Sequence, residues 1–138
     1  MRYFVVIALL LTGLCALYAC QNEQEIEFKR YFSAGQLVYQ TRCQNCHGNE
    51  GQGLAALIPP LNDAEFLRNN HSQLVCYLQN GLKGDIIIHN STYNGHMPAS
   101  GLSPIETAQV ITYVQNSFGN QIGLYDLKQA EADLKKCK

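Results

Sequence analysis

Charge is scarce in this 138-residue chain: 10 basic and 11 acidic residues make up 15% of it, for a formal net charge of −1. So weak a field leaves no electrostatic footprint for nucleic acid. The mark of disorder is also missing, because 46% of the residues are hydrophobic, enough to build a core. The chain has no internal repeat and is too short for more than one compact domain, which excludes a multidomain enzyme and a polytopic membrane protein. Methionine is scarcest among the side chains that matter below: Met1 and Met97 are the only two. Cysteine is the opposite case. Six fall at Cys15, Cys20, Cys43, Cys46, Cys76 and Cys137, a scatter that points to several different jobs.

The first segment reads as an address. Arg2 is the only charge before Glu23, and Tyr3 to Ala19 is an almost unbroken apolar run. A basic start, a short apolar stretch and a small residue at the break describe a secretory signal. The run is marginal for a transmembrane helix, which needs about 20 apolar residues. Its end, Leu17-Tyr18-Ala19-Cys20, resembles a bacterial lipobox, in which the cysteine becomes the lipid-bearing N-terminus after cleavage. The expected organisation is a signal peptide over 1–19, a lipidated tether over 20–30 starting at Cys20, and a domain over 31–138. Cys15 would leave with the signal peptide. An uncleaved anchor with an ordinary cysteine at position 20 is the other reading.

Helix signals follow in order. Ser33 is placed to cap a helix that carries Leu37, Val38 and Tyr39 up to Cys43. Residues 47–62 hold Gly48, Gly51, Gly53, Pro59 and Pro60 and read as loop. Asn62 is placed to cap a short turn, and Ser72 to start a helix that Gly81 closes. Ser103-Pro104-Ile105-Glu106 combines a capping Ser, Pro at the first helical position and Glu at the third. Val110, Ile111, Val114 and Phe118 then keep helical spacing, and a last helix is expected from Leu127 to Lys136. Ile86-Ile87-Ile88 has the composition of a short extended piece. Short helices between long glycine-rich loops close a core poorly. Something else must fill the middle.

Cys43-Gln44-Asn45-Cys46-His47 is C-x-x-C-H, the attachment signature for c-type haem. Two thiols three positions apart can form thioethers to the two vinyl groups on one side of a porphyrin, and the next residue sets an imidazole under the iron. A thioredoxin-like pair would need a βαβ pattern that the chain lacks. A zinc site would need a second ligand pair, and Cys76 and Cys137 are too far apart to resemble one. Those two remaining cysteines, in an oxidising exported compartment, are expected to pair as a disulfide, the alternative being two free thiols. Their bridge would staple the C-terminal residues, an extension beginning at about 120, onto the domain.

Over about residues 32–119 the chain resembles the bacterial class I, single-haem cytochromes c. The resemblance implies an all-α, cytochrome c-like fold, with Gly35 and Tyr39 where a C-terminal helix crosses the N-terminal one near Tyr113. It implies one covalent haem c bound through Cys43 and Cys46, with iron ligated by His47. In that family the Met of a Met-Pro pair binds the other face, and Tyr93-Asn94-Gly95-His96-Met97-Pro98 resembles that loop. Met97 would be the only thioether of the mature chain. His96, an open site, and in principle His71 or His89 are the alternatives. Pro59-Pro60-Leu61 matches the stretch in which a proline carbonyl accepts from the proximal imidazole, with Pro59 as acceptor and Leu61 packed on the ring.

A haem filled on both faces has no room for substrate, so the resemblance implies an electron carrier and no enzyme. It would be exported and tethered by lipid to a membrane of the cell envelope or periplasm. Partners would be redox proteins: a dehydrogenase or quinol-oxidising complex on one side, a terminal oxidase or reductase on the other. The stretch from Tyr113 to Asn120 also resembles cytochrome domains attached to periplasmic dehydrogenases and nitrite reductases. A haem-based sensor or weak peroxidase with a labile sixth ligand is the alternative function.

Overall fold

The computed structural model describes the backbone of residues 2–88 and 90–137, and the side chains of 3–7, 23–88 and 90–137. The chain divides into two units, Met1–Arg30 and Tyr31–Lys138. The first is helical, and its helix, α1, is bounded as Arg2–Arg42. Cys15 and Cys20 fall outside the described side chains, as does His89. Among the described residues no helix is long and apolar enough to cross a membrane.

Ser33 does not cap a helix, contrary to the sequence expectation, because α1 runs through it. No Gly or Pro interrupts residues 14–34. Glu25 and Lys29 add a pair in the favourable i, i+4 order at 2.7 Å. A capping side chain is only needed where such a run breaks.

In the second unit Tyr31, Gly35 and Tyr39, four residues apart, form the buried stripe of α1. The stripe lies against α5 (Pro104–Val114). A Cβ on Gly35 would overlap the carbonyl oxygen of Gln109 and come within 2.9 Å of the Tyr113 Cβ, so only glycine lets the two backbones approach this closely. Tyr39 stacks at 5.3 Å on both Tyr113 and Phe118. The capping box of α5 is present: Glu106 accepts from the Ser103 N–H at 2.9 Å, and Pro104 occupies the first turn. The helix ends at Val114, short of Gly119, and Phe118 then takes a left-handed φ of 58° that few aromatic residues adopt.

A one-turn helix, α2 (Gln44–His47), follows α1 and stops at Gly48, whose φ is 82°. The next helix, α3 (Ala64–Asn69), is capped by Asp63, which accepts from Phe66 N–H at 2.9 Å, one residue later than the Asn62 expected. Ser72 lies within a 3₁₀ turn (His71–Gln73) that leads into α4 (Leu74–Asn80), and no side chain caps that helix. Gly81 closes it with φ 73°. Two short strands, β1 (Ile86–Ile88) and β2 (Ser91–Tyr93), pair antiparallel, Ile86 opposite Tyr93, around a left-handed Asn90. This hairpin is the only strand pair among the described residues of an otherwise all-α fold.

The residues from about 120 onward are integrated into the domain. The last helix, α6 (Leu127–Leu134), opens with a reciprocal box between Asp126 and Gln129. Tyr125 is fully buried with Tyr31, Val75, Ala108, Ile111 and Ala130. Thr112 of α5 accepts from Tyr125 N–H and donates to its carbonyl, both at 3.0 Å. The Leu127 N–H reaches the Tyr31 hydroxyl at 3.2 Å. Burial, then the hydrogen bond to Asp133, pushes the Tyr125 phenol well above its ordinary value. A disulfide joins Cys76 of α4 to Cys137.

Candidate functional site

The C-x-x-C-H turn is shaped by backbone geometry before any chemistry. Cys46 and His47 N–H groups both return to the Cys43 carbonyl, at 3.1 and 3.0 Å. The turn therefore brings Cys43, half-buried, Cys46, exposed, and His47 to the wall of one cavity of about 350 Å³. That volume lies within the range of cofactor and ligand sites, about 300–1,000 Å³.

The imidazole of His47 is fixed by the loop that follows. Its Nδ1 lies 3.2 Å from the Pro59 carbonyl. A carbonyl can only accept, so the proton sits on Nδ1 and the lone pair of Nε2 is free to bind a metal. Burial holds the imidazole below its ordinary pKa, and the Pro59 bond only partly opposes this, which favours the neutral ring. The His47 carbonyl accepts from Gly53 N–H at 2.9 Å, and the Tyr39 hydroxyl donates to the next carbonyl, Gly48, at 2.7 Å. The Cys43 thiol is pushed up to about 11, first by burial and then by Cys46, with Arg42 opposing.

Met97 comes to the same cavity from a distant part of the chain. Its segment is held by two backbone bonds to Leu82, Leu82 N–H to the Met97 carbonyl at 2.8 Å and Met97 N–H to the Leu82 carbonyl at 3.0 Å. The Ser100 N–H adds a bond to the Leu78 carbonyl at 2.8 Å. The segment is thus ladder-like, where the sequence reads as loop. Between these ends the walls are apolar: Leu67, Leu74, Leu78, Leu82, Ile88 and Val110 contribute.

The structure gathers Cys43, Cys46, His47, Pro59, Leu61 and Met97 around one cavity. His96 lines it too, but is exposed. His71 does not: its Nδ1 lies 2.8 Å from the Gln115 amide nitrogen and its ring packs edge-on against Tyr125. Among the described residues no group of three or more His, Cys, Asp or Glu is placed to hold a metal ion. A neutral imidazole and a thioether on apolar walls, with two thiols beside them, form a donor set that fits a covalently attached haem, and among the described residues the cavity offers no carboxylate-rich set of oxygen ligands such as calcium takes. Leu82 was not read from the sequence, since it acts through its own backbone N–H and carbonyl, which carry no sequence signal.

Comparison with known proteins finds a matching family and relatives. The family model described as "Cytochrome c" matches residues 32–118. The chain is similar to a protein named "Cytochrome c-552" from Thermus thermophilus, 32% identical over 91 residues, covering 62% of this chain and 69% of that one. A protein of the same name from a particular strain of Thermus thermophilus is also 32% identical over 91 residues, with 62% of this chain and 61% of the relative covered.

Proposed function

We propose, for a chain that belongs to the cytochrome c family, that it is an exported carrier of single electrons, tethered to a membrane by lipid at Cys20. That it is an electron-carrying haem protein of the bacterial class I type, with covalent haem c, follows from the family. When bound, the haem supplies a one-electron iron couple, and the residues decide how it is used.

In this reading Cys43 and Cys46 would hold the porphyrin by thioethers, and His47 and Met97 would supply a nitrogen and a sulfur to the iron. Pro59 keeps the His47 lone pair directed at the metal, and Leu61 lines the ring. One observation carries the reading: Met97, the only methionine after Met1, lies on the cavity that also receives His47. A thioether raises the potential relative to harder ligands, and apolar walls add to that by disfavouring the extra charge of the ferric state. Two ligands supplied by side chains on a held backbone would leave little to rearrange when an electron passes. Transfer between a dehydrogenase or quinol-oxidising complex and a terminal oxidase or reductase suits such a centre.

A redox titration should follow a one-electron curve, and carbon monoxide should leave the spectrum of the reduced protein unchanged. Rapid carbon monoxide binding would replace the carrier reading by that of a sensor or weak peroxidase. The tether is tested separately: Cys20→Ser should release the protein from membranes or leave it unprocessed. Unchanged cleavage and sorting of that variant would remove the lipid from the reading.

A further inference from the structure

We propose that Asn120 is a positioning residue for the proximal ligand, acting through Leu61 and Pro59 to hold the carbonyl that His47 donates to. This rests on the reading of His47 as an iron ligand and adds to it a residue beyond the 32–118 segment that matches the family.

The Pro59-Pro60 pair creates the need. Neither residue has an N–H, so the stretch carrying the Pro59 carbonyl cannot tie itself down by donating. It depends on its two flanks. Before it, Ile58 is bonded only to nearby Leu54, within the same loop. Further back, the Ala56 carbonyl accepts from the Asn94 N–H at 3.2 Å, and after the prolines Leu61 is held on both sides, with its carbonyl making the link out of the loop. The Leu61 N–H donates to the Gly51 carbonyl at 2.7 Å, and the Leu61 carbonyl accepts from the Asn120 amide at 2.7 Å. The same amide nitrogen donates to the Val114 carbonyl at 3.0 Å, at the last residue of α5. Asn120 thus ties the proline stretch to the end of α5, the helix that α1 crosses.

The side chain is chemically suited to this and to little else. Both partners are carbonyls, so only an NH₂ group can bridge them, and the amide orientation is fixed by the network. Asp would face two acceptors with two more, and Leu would leave both carbonyls bare. Asn120 is 2% exposed, and its Oδ1 is buried with no hydrogen-bond partner. A buried amide that leaves its own oxygen orphaned is costly to keep. The turn that delivers it is strained as well, with Phe118 left-handed and the Asn120 N–H returning to the Ser117 carbonyl at 2.9 Å. Phe118 at the same time wedges against Gly51, the residue that receives the Leu61 N–H.

The consequence reaches the metal through the imidazole. A firmly held Pro59 carbonyl draws on Nδ1–H and makes Nε2 a stronger donor, which favours the ferric state. Loosening that carbonyl weakens the donor and raises the potential.

The test uses the holoprotein. Asn120→Ala should speed hydrogen exchange of the His47 Nδ1–H, followed by NMR, by roughly two- to tenfold, the range in an equilibrium that the net contribution of one hydrogen bond sets. It should also raise the reduction potential. Thr112→Val is the control: it breaks the paired bonds to Tyr125 and should lower stability while leaving both readouts in place. If the alanine variant yields no holoprotein, Asn120→Ser, which keeps one donor, is measured and should move both readouts in the same directions. Unchanged exchange and potential in a folded Asn120 variant, or equal changes in Thr112→Val, would overturn the proposal. If the His47 ring protons of the unmodified protein lack the paramagnetic shifts of an iron ligand, the ligand reading fails instead.

Discussion

Met97→Ala is expected to abolish the high-potential, six-coordinate state without unfolding the domain. The backbone at this position is held independently of the side chain, by the two bonds to Leu82, and the Gly81 that packs against the Met97 carbonyl limits any shift of the segment. Truncation should therefore remove the thioether and leave the wall standing. Three changes should follow together: carbon monoxide binds the reduced protein, the weak red-end charge-transfer band of the oxidised protein disappears, and peroxidase activity rises. The potential should fall by on the order of 0.1–0.3 V, within the ~0.8 V over which axial ligands set haem potentials. Met97→His should keep the iron low-spin yet lower the potential, because a harder donor favours ferric iron. If alanine leaves the spectrum and potential unchanged, His96, on the same cavity, becomes the next candidate.

The largest effect on stability is expected from the staple. Cys76 and Cys137 are separated by 61 positions. In the chain-entropy model a loop of that length contributes about 4 kcal/mol. Against a total of about 5–15 kcal/mol for a domain, that is a large share. Cys76→Ala with Cys137→Ala should lower the denaturant midpoint of the holoprotein accordingly, with the slope of the transition showing whether the denatured state has expanded. A loss under about 1 kcal/mol would mean that Tyr125, Ala130 and the Thr112 bonds hold the extension without the bridge, since that falls below the documented cost of removing a native disulfide.

Local chemistry was legible in the sequence, and distant chemistry was not. The Ser103–Glu106 capping box could be read because its partners lie three residues apart, and the haem motif because its spacing is its function. Gly35 was placed correctly against α5, since a missing side chain in an otherwise apolar stripe has few other uses. Ser33 misled because a good capping residue tolerates a helix interior whenever the run around it does not break. The second strand of the hairpin, Ser91–Tyr93, escaped because three residues are too few to show an alternating period, although Thr92 and Tyr93 favour strands, and the strand is defined by its pairing with the isoleucines. Asn120 was unreadable in principle: its partner Leu61 is 59 positions away and contributes only a carbonyl, which every residue has.

The order in which the contacts become available along the chain has a consequence for biosynthesis. The proposed attachment thiols belong to residues 43 and 46, whereas the groups that latch the fold lie near its end: Asn120 onto Leu61, Leu127 onto Tyr31 across 96 positions, Cys137 onto Cys76. If the chain is exported N-terminus first, as proposed, it presents Cys43, Cys46 and Cys76 together while the partner of Cys76 has yet to arrive. Three thiols without the fourth can form wrong pairs in an oxidising compartment. The late position of Cys137 makes the timing of porphyrin attachment a matter of thiol chemistry: once Cys43 and Cys46 are thioethers, Cys76 has one cysteine of the domain left to join.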